Sequence, residues 1–377
     1  MRLNDEQRDW LTLAMVPGVG STHFIRLLAR FRSPAAVLHA SHGALKEVVG
    51  KALAEKIVGY ADVVDIDTQE RLMGEYEARM LTMNDTLYPA RLGEIYDPPL
   101  VLFHRGELFE TDETSVAIVG TRRATPYGLR MAEKLGRELA ANGITVVSGM
   151  ASGVDTAAHR GALEAGGRTV AILGCGVDVV YPKQNAELMH EIIQNGAAVS
   201  QFAMGVQPSK GHFPSRNRIM SGMTLGTVVV QAPARSGALI TANIAAEQGR
   251  EVFAVPGEVG VNASQGPHAL IREGAKLVET VEDILVELNI PAELPQETTP
   301  PSEEVDAPTV SSPPPRPARN LSSPEQEVLS VLASNGSFVD EIAAASRLPV
   351  SEALSTLTVL ELKGLVRQFS GKRFAPR

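Results

Sequence analysis

The chain contains a single cysteine, Cys175, among 377 residues. That excludes an intrachain disulfide and a cysteine-built zinc site, and it fits a reducing compartment. No apolar run approaches the ~20 residues needed to cross a bilayer. The first residues, MRLNDEQRDW, place charges where a secretory leader has an apolar core. A soluble, cytoplasmic protein with no membrane association is therefore expected. No G-x-x-x-x-G-K-[ST] occurs, which excludes a P-loop ATPase. Neither Gly120-Thr121-Arg122-Arg123 nor Gly174-Cys175-Gly176 completes G-x-G-x-x-G, so a dinucleotide fingerprint is missing too. There is also no overall positive charge. With 35 Lys and Arg against 44 Asp and Glu, the net charge of −9 argues against indiscriminate coating of nucleic acid. It leaves a local basic site open.

What is present is an ordinary globular balance, 44% hydrophobic and 21% charged, in a chain long enough for two or three domains. Residues 1 to about 65 read as a helical domain. Helix, Val16-Pro17-Gly18-Val19-Gly20, helix is the pattern of a helix-hairpin-helix, with a weaker echo at Val48-Val49-Gly50-Lys51-Ala52. Its glycines would let backbone N–H groups approach a phosphate. Segment 1–60 has eight Lys and Arg against five Asp and Glu. Two readings stay open, a nucleic-acid contact and a purely structural packing domain.

Residues 80 to 110 carry Tyr88-Pro89 and Asp97-Pro98-Pro99, which exclude a central helix and suggest short strands leading into a sheet. From 115 the alternation becomes regular. Apolar strands are expected at 116–119, 144–147, 169–173, 198–200, 227–230 and 251–255, with a last one at 276–278. Helices are expected at 128–141, 153–165, 185–195, 215–222, 237–248 and 264–273. The helix from 153 carries a capping-box signal, Ser152-x-x-Asp155. Continuous Val/Ile/Leu strands alternating with helices give an α/β fold, a Rossmann-like, mostly parallel sheet covered on both faces, over 80–290. Residues 291–320, rich in Pro, Glu, Ser and Thr, read as a linker. Residues 321–377 read as three helices and a small hairpin around Ser370-Gly371, a winged helix.

Chemistry concentrates at the strand ends. In open parallel sheets ligands sit at the carboxyl ends of the strands. The loops there hold Arg122, Arg123, Lys183, Lys210, Arg216, Arg218 and Arg235, with Asp178 as their only acid. Segment 111–290 as a whole has fifteen Lys and Arg against seventeen Asp and Glu, so the asymmetry is local. A basic edge on a slightly acidic body is the footprint of a polyanion site. The stretch His212–Gly222 reads as a turn at Phe213-Pro214-Ser215 running into a helix, presenting Arg216 and Arg218 around Asn217. Two guanidiniums and a helix start suit an oxyanion. Asp155 and His159, at i and i+4, lack a third metal ligand and are expected as a hydrogen-bonded structural pair.

The chain resembles the DNA-processing protein A family (DprA, also called Smf). The resemblance rests on Gly120-Thr121-Arg122, Ser148-Gly149-Met150-Ala151-Ser152-Gly153-Val154-Asp155, Tyr181-Pro182-Lys183-x-Asn185, Phe213-Pro214-x-Arg216-Asn217-Arg218, Ser236-Gly237-Ala238-Leu239-Ile240-Thr241-Ala242 and Ala254-Val255-Pro256-Gly257. It implies a non-enzymatic protein that binds single-stranded DNA, forms homodimers and loads the RecA recombinase during natural transformation. Carried over by position, Arg122, Lys183, Lys210, Arg216 and Arg218 are similar to the family's DNA-contacting pocket. Gly120, Ser148, Gly149, Ser236 and Gly237 would line it with small groups. Thr121, Asn185, Phe213 and Asn217, from the same motifs, complete the expected set, with no catalytic residue, metal or cofactor.

Gln201 and Gln231 depart from the family pattern, which usually has Glu at both places. A second Rossmann-type group, the nucleotide phosphoribohydrolases, needs P-G-G-x-G-T-x-x-E; the corresponding Pro233-Ala234-Arg235-Ser236-Gly237-Ala238 lacks it. Segment 321–377 balances six Lys and Arg against six Asp and Glu, and its candidate recognition helix has no cation before Lys363. A duplex reader normally places cations there. This domain is expected to serve in protein interaction or regulation.

Overall fold

In the computed structural model the chain divides into two compact units, Met1–Thr298 and Thr299–Arg377. The structure describes residues 3–290, 323–332, 337–346, 348–363, 365–369 and 373–376. The Pro-rich linker expected over 291–320, and the turn expected at Ser370-Gly371, lie outside them.

The first unit opens with six helices: α1 Asp5–Met15, α2 Ser21–Phe31, α3 Pro34–Leu38, α4 His42–Val49, α5 Lys51–Val58 and α6 Ile66–Glu75. Asn4 starts α1 with a capping box, accepting from the Gln7 N–H at 2.8 Å while its own N–H donates to the Gln7 side chain. Both expected hairpin turns are there. Gly18 turns between α1 and α2 at φ +101°, and Gly50 between α4 and α5 at φ +79°, where a side chain would be strained. The helices were expected to form a domain of their own. Instead Trp10, Phe24, Leu27, Leu45 and Ile57 share one core cluster with Phe103, Leu188 and Met204 of the sheet layer. The Trp10 indole N–H donates to the Leu100 carbonyl at 2.9 Å, which ties α1 to the following strand.

Nine strands form one sheet. They are β1 Arg79–Thr82, β2 Val101–Gly106, β3 Ser115–Val119, β4 Thr145–Ser148, β5 Thr169–Ile172, β6 Gly196–Ser200, β7 Gly226–Val229, β8 Glu251–Ala254 and β9 Lys276–Leu277. Their order is β1-β2-β6-β5-β4-β3-β7-β8-β9. β1–β2 and β2–β6 pair antiparallel, and all other pairs are parallel. The parallel strands β3 to β7 are buried along their whole length, which is why they read as continuous apolar runs. The proline-bearing residues 80–110 supply the antiparallel pair and a short helix α7, Ala90–Gly93.

The remaining helices are α8 Pro126–Ala141, α9 Val154–Glu164, α10 Ala186–Asn195, α11 His212–Met223, α12 Gly237–Glu247, α13 Gln265–Arg272 and α14 Val281–Glu287. Two local expectations are corrected. Helix α11 begins at His212 rather than after a Phe213-Pro214-Ser215 turn, because a proline in the first turn forfeits only an N–H that has no partner there anyway. The N-cap of α9 is Gly153 at φ +85°, not Ser152 in a capping box. A Cβ at Gly153 would lie 2.5 Å from the Thr121 carbonyl, so close packing selects glycine. Chain order runs outward from β3 through β6, then returns to β7 on the other side of β3. That reversal opens a crevice beyond the carboxyl ends of β3 and β7.

The second unit is a winged helix: α15 Ser323–Val331, α16 Val339–Ser346 and α17 Val350–Leu362 around Val328, Ile342, Leu357, Leu360 and Phe374. Strands β10 Ser337–Phe338, β11 Val366–Phe369 and β12 Arg373–Pro376 form its sheet in the order β10-β12-β11. The expected hairpin is β11–β12; the two-residue β10 had too little periodicity to be legible.

Candidate nucleic-acid interface

A cleft of about 380 Å³ lies at the crevice between the ends of β3 and β7. Gly120, Thr121, Arg122 and Arg123 come from the loop after β3, Ala151 and Asp155 from the β4–α9 segment. Phe213, Arg216, Asn217 and Met220 come from α11, and Arg235, Ser236 and Gly237 from the start of α12. Gly120 is squeezed between layers, since a Cβ there would lie 2.5 Å from Val154 and 2.9 Å from the Gln231 carbonyl. Ser236 caps α12, its hydroxyl accepting from the Ala238 N–H at 3.3 Å. The cleft therefore faces the positive end of an eleven-residue helix.

Arg122, Arg123 and Arg235 are exposed, and none has an ion-pair partner among the described residues. The Arg122 guanidinium lies over the Phe213 ring at 5.1 Å from its centroid. Tyr181 sits beside the same ring, centroids 5.9 Å apart, so two aromatic surfaces adjoin the basic rim.

Arg216 differs from its expected role. Only 5% of it is exposed. Its Nη1 donates to the Ile172 carbonyl at 3.1 Å, and Gly149 leaves the space it fills, since a Cβ there would lie 1.4 Å from Nη1. Burial disfavours its charge, and Asp155 partly offsets that. Among the described residues Asp155 is the only carboxylate lining the cleft; burial pushes its carboxyl up to about 6 against the opposing pull of Arg216 and of the Ala151 N–H. Asp155 and His159 are not bonded to each other as expected. Asp155 accepts from the Ala151 N–H at 3.3 Å, and the His159 imidazole donates from Nδ1 to the Thr169 hydroxyl at 2.7 Å, that hydroxyl donating in turn to the Val146 carbonyl. Burial pushes His159 down to about 3, so it is neutral at working pH.

The other expected contacts separate. Ser148 is buried and donates to the Ile118 carbonyl at 2.6 Å. Asn185 is buried and spends its amide on the Met150 carbonyl at 2.8 Å and the Thr156 hydroxyl at 2.9 Å. Both spend these bonds on the wall of the site. Gly149 joins Tyr181, Pro182 and Ser152 in a smaller pocket that shares Arg122, Phe213 and Arg216 with the cleft. Lys183 and Lys210 are exposed but line neither cavity. Arg218 leaves the cleft altogether, because two helical positions turn it by about 200° from Arg216 across Asn217. It meets Asp97 at 3.2 Å and Gln201 Oε1 at 3.1 Å in a groove beside α1. Arg218→Ala is expected to lower stability by about 1 kcal/mol and leave single-strand affinity within twofold. Urea unfolding and fluorescence anisotropy check the two halves of that outcome.

Gln201 and Gln231 also find structural work. Gln201 donates to Ser215 and accepts from Arg218. Gln231 accepts from the Thr125 N–H at 3.0 Å and donates to its hydroxyl at 2.9 Å, bracing the loop that carries Arg122. Of the residues now seen at the cleft, Arg123 and Arg235 were counted in the basic edge but left out of the expected contacts, and Asp155 was read only as a structural partner of His159. Arg235 carried a usable signal, a cation directly before a Ser-Gly helix start.

Comparison with known proteins identifies the family. Residues 79–289 match the model of the family described as DNA recombination-mediator protein A, and residues 312–372 match the DprA winged helix domain. The chain belongs to the DNA recombination-mediator protein A family. Within the family it is 33% identical to Protein Smf of Synechocystis over 99% of this chain and 100% of that one. It is 46% identical to the DNA processing protein DprA of Streptococcus pneumoniae over 54% of this chain and 72% of that one. The X-ray structure of the pneumococcal DprA covers 76% of this chain and 99% of that one, at TM-score 0.66 and 35% identity. The structure of the Helicobacter pylori DNA processing protein A, described for its single-stranded DNA binding mode, covers 57% of this chain and 96% of that one, at TM-score 0.51 and 32% identity. Among the described residues no helix is long and apolar enough to cross a membrane.

Proposed function

We propose that this member of the DNA recombination-mediator protein A family binds single-stranded DNA in the cleft between β3 and β7. The observation that carries the reading is the unpaired Arg122, stacked over Phe213 at the positive end of α12. Phosphates meet Arg122, Arg235 and the α12 N–H groups, and a base lies against Phe213 or Tyr181. Duplex DNA keeps its bases inside and gains little from an aromatic ledge. Single strands are therefore expected to bind more tightly than duplex of the same length, with affinity falling steeply between low and moderate salt. Gel or filter binding at two salt concentrations tests this, and equal affinity for duplex contradicts it.

The protein acts as a mediator, not an enzyme, in this reading. Its cleft offers one carboxylate, Asp155, and no pair for acid–base work. Loading of RecA onto the coated strand, a homodimer and a cytoplasmic role in transformation complete the proposal, supported by family membership. Faster RecA filament growth on protein-coated strands is the expected result. No release of free base from a nucleoside monophosphate is expected, which separates this reading from a phosphoribohydrolase.

The winged helix serves partner contacts. Its helix α17 exposes Glu352, Leu354 and Ser355 near its start, a surface short of cations for a phosphate backbone. Truncation after Leu288 is expected to keep single-strand affinity within about tenfold, roughly 1.4 kcal/mol. A larger loss measured by anisotropy assigns the domain to DNA.

Asp155 makes binding pH-dependent. Ionised, it sets a negative charge in the wall of the cleft; protonated, it sets none. Its carboxyl is raised on folding, so its ionisation opposes both folding and anion binding as pH rises through about 6. Single-strand affinity is expected to rise several-fold from about pH 7.5 to about pH 5.5. Asp155→Asn, neutral throughout, should lose that dependence.

A further inference from the structure

A second depression, about 370 Å³, opens between α8 and α9 and shares Arg122 and Arg123 with the cleft. Arg160 of α9 and Leu129 and Glu133 of α8 line its far side. We propose that this groove is an extension of the single-strand site, in which Arg123 and Arg160 hold the phosphates of nucleotides leaving the cleft. The inference rests on the cleft reading above and adds to it the path and length of the bound strand.

Three observations carry it. First, charge: Arg123 and Arg160 are exposed and have no ion-pair partner among the described residues, while Glu133 and Glu164 are engaged. Glu133 and Glu164 both pair with Arg137, at 3.0 and 2.6 Å, so these two acids set against Arg123, Arg137 and Arg160 leave one net positive charge. Second, rigidity: α8 and α9 pack backbone to backbone, since a Cβ at Gly136 would lie 2.3 Å from the Ala158 carbonyl and one at Gly161 2.0 Å from the Glu133 carbonyl. The groove is therefore a fixed platform and loses little entropy on binding. Third, continuity of charge: the adjacent Arg122 and Arg123 line both cavities, so the rim between them is itself basic. The groove has no aromatic lining, in contrast to the cleft with Phe213. It therefore suits phosphates, and the cleft suits a base.

The test measures binding of two oligothymidylates, one of about 6 nucleotides and one of about 15, spanning the sizes of compact single-strand sites. Proteins are the full chain, Arg160→Ala and Arg272→Ala; the last removes an equal charge from α13 and serves as the control. Wild type should bind the longer strand about tenfold more tightly. Arg160→Ala should lose most of that gain and leave the short strand unchanged. Its salt slope should fall by about 0.7 on the longer strand only, the value of one phosphate contact on a single strand. Arg272→Ala should match wild type. Arg160→Ala equal to wild type on both strands overturns the extension and leaves the cleft reading standing. So does an equal loss on both strands, or an equal loss in Arg272→Ala. Wild type that binds neither strand overturns the cleft reading, and the extension with it.

Discussion

Arg122→Ala should weaken single-strand binding by at least tenfold, about 1.4 kcal/mol, while leaving the unfolding midpoint in place. Two losses add. One is a phosphate contact, which also lowers the salt slope. The other is the guanidinium that covers the Phe213 ring, a surface on which base stacking contributes about 1–3 kcal/mol. Stability is spared because the side chain is exposed and makes no ion pair among the described residues. Arg122→Lys should recover only part of the affinity, since an ammonium keeps the charge and loses the flat stacking surface. Anisotropy titration and thermal unfolding on the same samples check both statements. Unchanged affinity with an intact fold removes Arg122 from the site.

Gly149→Ala should lower the stability of the protein. Its new methyl group would collide with the Arg216 guanidinium, at 1.4 Å from Nη1 and 2.3 Å from Cζ. An exposed arginine would swing away at little cost. Arg216 is buried and tied to the Ile172 carbonyl, so it cannot move without breaking that bond and uncovering Asp155. A loss of about 1–3 kcal/mol is expected from urea unfolding, as for other overpacked interiors. Gly237→Ala is its counterpart. A Cβ at Gly237 meets nothing within 4 Å, so stability should hold. The methyl group would instead stand at the start of α12 where a phosphate approaches, and affinity should fall several-fold. The opposite assignment, a stable Gly149→Ala and an unstable Gly237→Ala, contradicts the geometry given for the cleft.

Much of this architecture was legible because burial leaves a simple trace. Strands β3 to β7 are covered on both faces, and their Val/Ile/Leu runs place them within a few residues. Loops between them collected the cations at one edge, which located the cleft. What stayed hidden depends on contacts distant in sequence. Nothing local to Arg218 announces Asp97, and nothing local to Arg216 says that it turns inward under Gly149. A run of Arg-Asn-Arg reads as two equal cations, and only the helix phase and the packing of α11 distinguish a buried strut from a surface pair. Asn185 and Ser148 show the same limit, since a polar residue in a motif can serve the wall as well as the ligand. The N-terminal helices had clear hairpins, yet their fusion to the sheet rests on contacts such as Trp10 with Leu100, ninety residues apart.

The claim that the cleft between β3 and β7 is the single-strand site has one direct test. A single-stranded oligonucleotide carrying a photoreactive thymidine analogue is crosslinked to the full-length protein, and the adduct is mapped by peptide mass spectrometry. Stacking against the ring at the mouth of the cleft predicts adducts on Phe213 or Tyr181, lost in Arg122→Ala at matched protein concentration. Adducts confined to residues 3–75 or to the winged helix, with Phe213 and Tyr181 unmodified, would contradict the account.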